Sequence, residues 1–183
     1  RGRGHWHDVI TSIEVTRTSV IDNPGEGGRP PHAEVEEVIR RSLPIMPGLS
    51  LELGPLETQE YIPLVAAGAE GLVVYQETYD EPTYRELHVA GPKKHFGWRM
   101  DTPERAYAAG FRRLGIGALF GLADWRFEAI SVAMHARHLL RACWKAQVTI
   151  SLPRMRPAAG GFAPRFHMSD RELVQTIAAY RLL

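Results

Sequence analysis

The chain has 183 residues and a net charge of +1, from 22 Lys and Arg against 21 Asp and Glu. Apolar residues make up 44% and charged residues 23%, a globular balance that argues against disorder or a fibrous repeat and gives no reason to expect nucleic acid or an anionic membrane as partner. A single cysteine, Cys143, excludes an internal disulfide framework and any cysteine-rich metal site made by this chain alone.

In chain order the pattern is strand, then helix, repeated. Val9 to Val15 is rich in β-branched residues and predicts a strand. After the Gly/Pro-rich stretch Asn23 to Pro31, a helix is expected from His32 to about Ser42, with Val35, Val38 and Ile39 on one face. Leu49 to Leu53 is a second strand, and Thr58 to Ala67 a helix stopped at Gly68, where a left-handed residue caps the end. Gly71 to Tyr75 is a continuous apolar run, expected to be a strand buried on both faces.

Pro82 to His88 predicts a short helix, followed by a basic loop with Lys93 and Lys94. Thr102 is the expected N-cap of a helix with Pro103 in its first turn, running to Gly110. Leu114 to Phe120 is a strand carrying glycines, Trp125 to Ala146 the longest helix, and Val148 to Leu152 a further strand. Ser169 and Glu172 have the spacing of a capping box that opens the last helix.

Five strands alternating with helices, joined by connections too long for hairpins, imply parallel pairing and right-handed crossovers. A doubly wound sheet and a (β/α) barrel compete. No G-x-G-x-x-G follows the first strand, which favours the barrel, although five strands cannot close one. The expected fold is therefore α/β, a single partial TIM-type barrel domain over 1–183. No stretch approaches the ~20 apolar residues that span a bilayer. No leader opens the chain, so a cytoplasmic location is expected. The chain starts without methionine and stops on an apolar helical pattern, and both ends are expected to be cuts.

In such folds the functional groups collect at the carboxyl ends of the strands. Gln76, Glu77, Thr78 and Tyr79 follow the apolar strand directly and form the first candidate set. Gly115 and Gly117 lie within a strand, where glycine marks close approach of backbone or ligand, or tight packing. Ser151, Arg154 and Arg156 gather at the last strand end, and an arginine fork suits a carboxylate. His135 and His138, three apart on a helix, have no third ligand nearby and are not expected to bind metal; Cys143 is expected to be a buried hydrophobe.

The strings VYQETYDEPTYRELHVAGPKK, FGWRMDTPERAYAAGFRRLGIGALFGLADWR and SLPRMRPAAGGF resemble the middle of the radical S-adenosylmethionine tyrosine lyases, from about Leu49 to Leu183. The thiamine-pathway branch is the nearer, and the hydrogenase-maturation branch is similar in the same places. The resemblance implies a radical SAM barrel, S-adenosylmethionine, and a 4Fe-4S cluster held by C-x-x-x-C-x-x-C. It also implies hydrogen abstraction from L-tyrosine and Cα–Cβ scission to p-cresol and 2-iminoacetate (dehydroglycine) for thiazole formation. A thiazole synthase subunit and a reducing protein are the implied partners.

Residue by residue, the resemblance assigns Gln76 and Glu77 to the cofactor ribose, Arg99 to its carboxylate, and the backbone at Gly115 and Gly117 to its adenine. Thr78, Tyr79, Ser151, Arg154 and Arg156 fall to the amino-acid substrate. Two features depart from the family. No cluster motif is present, and the Gly-Glu usual after the second barrel strand has only Ile13-Glu14 or Val15-Thr16-Arg17 as candidates. Residues 1–31 do not share the likeness. The chain alone is thus expected to be inactive and to contribute no catalytic residue, being an enzyme only when full length. A truncated, non-catalytic domain that binds a small molecule is the alternative from another class.

Overall fold

The structure, a computed structural model, describes residues 14–16, 32–45, 48–91, 94–156 and 163–182. Among the described residues five parallel strands form one sheet: β1 (Glu14–Thr16), β2 (Ser50–Glu52), β3 (Gly71–Val73), β4 (Arg113–Gly117) and β5 (Gln147–Ser151). The helices between and after them are α1 (His32–Ser42), α2 (Thr58–Ala66), α3 (Glu81–Leu87), α4 (Phe96–Met100), α5 (Thr102–Ala109), α6 (Trp125–Ala142) and α7 (Asp170–Tyr180).

Strand order decides between the two architectures. The sheet runs β1-β2-β3-β4-β5 with no reversal. A doubly wound sheet must reverse its order to place helices on both faces. Right-handed crossovers that always step the same way put every helix on one face, as in a barrel wall. The five strands are an arc of such a wall.

The covered face holds the core: Leu51, Leu72, Val74, Leu114, Ile116 and Ala118 from the strands meet Tyr61, Leu64, Ala106, Val132 and Leu139 from the helices. The opposite face carries Ser50, Val73, Arg113, Gly115, Thr149 and Ser151 in register. Here the expectation for Gly71 to Tyr75 is corrected. Leu72 and Val74 are buried, but Val73 and Tyr75 are only partly so, since no second layer covers that face among the described residues.

The element order follows the sequence closely, with four differences. The first strand is seen only at Glu14–Thr16, and the rest of Val9 to Val15, like Lys93, lies outside the described residues. α4 has no counterpart in the expected elements. Thr102 is not the cap but the first residue of α5; buried, its hydroxyl donates to the Trp98 carbonyl at 3.3 Å, and Asp101 precedes it as N-cap. α6 stops at Ala142 because the Ala146 amide folds back onto the Cys143 carbonyl at 2.8 Å. Gly68 has φ +112°, the left-handed stop that ends α2, and the Ser169–Glu172 capping box is formed at α7.

Candidate functional site

β3 runs past its regular pairing into a turn fixed from several sides. The Gln76 amide donates to the Gly117 carbonyl at 3.0 Å, and the Leu119 amide to the Glu77 carbonyl at 2.7 Å. Glu77 is the one non-glycine residue with positive φ (70°) among the described residues. That conformation costs an L-residue about 1–2 kcal/mol and persists only where the surroundings enforce it.

Arg99 comes from α4, a helix whose only buried residue is that arginine. Its Nε donates to the Tyr75 carbonyl at 2.7 Å, and its Nη2 to Glu77 Oε1 at 2.8 Å. The Arg99 side chain is 5% exposed and that of Glu77 29%, so the pair is dry on one side and open on the other. Arg99 Nη1 is buried without a hydrogen-bond partner, and so is Gln76 Oε1. Tyr84, fully buried on α3, stands against the same guanidinium; burial pushes its hydroxyl pKa up while Arg99 pulls it down.

Alternation along the strand splits the expected set. Tyr75 and Glu77 share the open face with Gly115, Gly117 and Ser151, and the Tyr75 hydroxyl donates to Ser151 Oγ at 3.2 Å. Gln76 turns to the covered face, where its Nε2 donates to the Phe96 carbonyl at 3.4 Å. Thr78 and Tyr79 also turn inward, onto α6. The Thr78 hydroxyl makes a short hydrogen bond to Glu128, whose other oxygen accepts from the Tyr79 amide at 2.9 Å. The Tyr79 hydroxyl meets His135 Nδ1 at 2.8 Å.

The glycines of β4 have neighbours that explain them. A Cβ at Gly117 would lie 2.5 Å from the Ser151 carbonyl oxygen, and one at Gly115 would lie 2.7 Å from Val73 Cγ2. At the end of β5, Arg154 is a clamp on the last helix: Nη1 donates to the Met168 carbonyl at 3.0 Å and Nη2 pairs with Asp170 at 2.6 Å. Arg156 is exposed, at a cleft of about 660 Å³ shared with Phe120, Leu152, Phe166 and His167.

The structure thus joins Glu77, Arg99, Gly115, Gly117 and Ser151 on or beside the open face. Thr78, Tyr79 and Arg154 are drawn to α6 and α7. Sequence reasoning missed Tyr75, Tyr84 and Glu128, and weighed His135 only as a metal ligand and not as the partner of Tyr79. Burial pushes the carboxyl pKa of Glu128 up and that of the His135 ring down to about 4. His138 pairs with Glu104 rather than with His135. Among the described residues no three His, Cys, Asp or Glu are grouped to hold a metal ion. Cys143 is buried, with its thiol pKa raised by desolvation.

No protein-family model matches the chain. It is 43% identical over 152 residues to 2-iminoacetate synthase of Escherichia coli K12, and 41% identical to that of Salmonella typhimurium LT2. Each match covers 80% of this chain and 40% of the relative, so the chain spans about two fifths of the length of these curated relatives. Among solved structures, the FeFe-hydrogenase maturase HydG from Carboxydothermus hydrogenoformans matches with a TM-score of 0.77 and 30% identity, over 94% of this chain and 39% of that one. A second HydG structure gives 0.77 and 27%, over 93% and 38%. Methylornithine synthase, at 18% identity and a TM-score of 0.58 over 82% of this chain and 43% of that one, shares the fold. Over the 152 matched residues the chain is similar to the 2-iminoacetate synthases, and over 94% of its length it is similar to HydG.

Proposed function

We propose that this chain supplies the nucleoside- and substrate-facing arc of a lyase that breaks the Cα–Cβ bond of tyrosine, giving p-cresol and 2-iminoacetate for thiazole assembly in thiamine biosynthesis. The observation that carries this reading is the 43% identity to 2-iminoacetate synthase, against 27–30% to HydG. The hydrogenase-maturation lyase is the second reading, favoured by a fold likeness that covers 94% of the chain.

A buried polar atom without a partner, Arg99 Nη1, supports S-adenosylmethionine as ligand, since its carboxylate and ribose groups offer acceptors. When bound, that cofactor supplies the radical chemistry. The half-exposed Glu77 carboxylate accepts from ribose hydroxyls, Arg99 holds Glu77 and attracts the cofactor carboxylate, and the bare backbone at Gly115 and Gly117 lies beside the adenine. Ser151 and Arg156 face tyrosine, while Gln76, Thr78, Tyr79 and Arg154 hold these groups from behind. The cluster is a different matter. One cysteine, buried at the end of α6, does not fit a 4Fe-4S cluster, so this chain is not its holder. After anaerobic reconstitution the 183-residue chain shows no iron–sulfur absorbance; a bound cluster would reverse that assignment.

No described helix is long and apolar enough to cross a membrane. A cytoplasmic setting, with a thiazole synthase subunit and a reducing protein as partners, is part of the same proposal. The test is a chimera in which this chain's matched stretch replaces its counterpart in the Escherichia coli enzyme. Given tyrosine and S-adenosylmethionine without oxygen, the chimera releases p-cresol. A folded chimera that binds both compounds and releases none rejects the assignment.

A further inference from the structure

Glu128 sits in the first turn of α6 and is 0% exposed. Both of its carboxylate oxygens are spent on the turn after β3, one on the Thr78 hydroxyl and one on the Tyr79 amide. The Thr78 oxygen in turn accepts from the Asp80 amide at 3.1 Å, and Asp80 caps α3 through the Thr83 amide at 2.9 Å. No Lys or Arg hydrogen-bonds or ion-pairs with this carboxylate among the described residues, and Asp80 adds like charge nearby. Burying a carboxylate without a cation is costly, and an apolar residue would fill the same space more cheaply. The cost has a counterpart one residue upstream of the turn it holds. Glu77 keeps a positive φ; the Leu119 amide holds its carbonyl, Arg99 grips its side chain and the Tyr75 carbonyl before it, and the peptide that follows is left to the turn.

We propose that Glu128 is a positioning residue: from the covered face it locks Thr78 and Tyr79, and so holds Glu77 in the conformation that turns its carboxylate to Arg99 and the open face. The two residues are linked through Thr78 and Tyr79 and not through a direct bond. The role rests on the reading above only in giving Glu77 a ligand to meet.

A double-mutant cycle on the 183-residue chain tests the link without any ligand. Glu77→Gly and Glu77→Ala remove the same carboxylate and differ in what positive φ costs them. In the parent background urea unfolding finds the glycine variant more stable, by about fivefold in the folding constant. Adding Glu128→Leu, which removes both acceptors from the turn, lets the turn relax and brings that ratio to about one. Thr78→Val cuts the same link by a milder change and brings the same loss, should Glu128→Leu prevent folding. A ratio still near fivefold in these backgrounds overturns the proposal, because non-contacting sites that are merely structural add. S-adenosylmethionine titrated into the same proteins keeps the two readings apart. Weaker binding in Glu128→Leu that Thr78→Ser does not share supports positioning. Failure of the parent chain to bind, with the ratio still collapsing, overturns the cofactor assignment and leaves the role of Glu128 standing.

Discussion

Arg99 and Glu77 meet at 2.8 Å across the end of β3, the guanidinium buried and the carboxylate partly open. The same guanidinium holds the Tyr75 carbonyl, so one side chain from a five-residue helix fixes both the backbone and the side chain of the strand end. The cation is therefore not a free anchor waiting for an anion. Two of its nitrogens are committed within the protein, and the third is buried.

Arg99→Ala removes both bonds and leaves the Tyr75 carbonyl and the Glu77 carboxylate without them, a loss of ~2–3 kcal/mol in urea unfolding. Arg99→Lys does not restore it, since one ammonium cannot reproduce the fork. In the full-length enzyme or the chimera, Arg99→Ala weakens S-adenosylmethionine binding far more than tyrosine binding. Equal effects on the two dissociation constants reject the cofactor role.

Gly117→Ala and Gly115→Ala separate backbone from side-chain crowding. At Gly117 the new methyl meets the Ser151 carbonyl oxygen, which is pinned in the β4–β5 ladder and cannot yield. At Gly115 it meets the Val73 side chain, with Cγ2 at 2.7 Å, Cγ1 at 3.1 Å and Cβ at 3.2 Å, so the valine must shift, but its three nearest contacts include no backbone atom. Overpacking costs about 1–3 kcal/mol, with Gly117→Ala near the top of that range and Gly115→Ala near the bottom. Chemical denaturation of the two variants checks the order.

The alternation of strands and helices was legible because each boundary carries its own chemistry: Gly68 after α2, Pro103 in the first turn of α5, Ser169 and Glu172 at α7. α4 was not, since five residues containing Gly97 show no periodicity, and its helix is held by tertiary contacts: the buried Arg99, the Gln76 bond to the Phe96 carbonyl and the Trp98 bond to Glu57. The strand-end cluster Gln76 to Tyr79 was visible as a polar run, but not its division. A period of two sends Gln76 inward and Glu77 outward, and the turn then commits Thr78 and Tyr79 to α6. Glu128 escaped notice as an ordinary acidic residue in a first helical turn. Its spacing held the clue: it shares the buried stripe of Val132, Ala136 and Leu139, where a charge needs a reason.

His135 gives the chain a pH-dependent stability. Burial, and after it the nearby His138, lower its pKa from 6.5 to about 4, while Glu104 opposes the shift. The unfolded chain thus binds the proton more readily than the folded one between these values. Stability is full above pH ~6.5 and falls as pH drops toward ~4, by at most about 3 kcal/mol from this ring. His135→Gln keeps a partner for the Tyr79 hydroxyl and flattens that slope. Urea midpoints at pH 7 and pH 4.5 measure it, and an equal drop in parent and variant removes His135 as the source.

Arg154 and Arg156, two residues apart, are expected to fail in different ways. Arg154 ties β5 to the start of α7 through the Met168 carbonyl and Asp170. The aspartate is well exposed, so the ion pair adds little, and the cost of Arg154→Ala comes chiefly from the carbonyl bond and lost packing, about 1–2 kcal/mol. Hydrogen exchange in the variant speeds up first in α7, where the Tyr180 hydroxyl bond to the Ala129 carbonyl and the exposed Arg126–Glu172 pair remain as tethers to α6. Arg156 is exposed at the neighbouring cleft, and Arg156→Ala leaves stability within ~0.5 kcal/mol of the parent. If the cleft receives the tyrosine carboxylate, that same substitution weakens tyrosine binding at least tenfold, the scale of a lost charge-assisted hydrogen bond. Tyrosine binding that falls with Arg154→Ala and not with Arg156→Ala assigns the carboxylate to the clamp residue instead, and the cleft then loses its role.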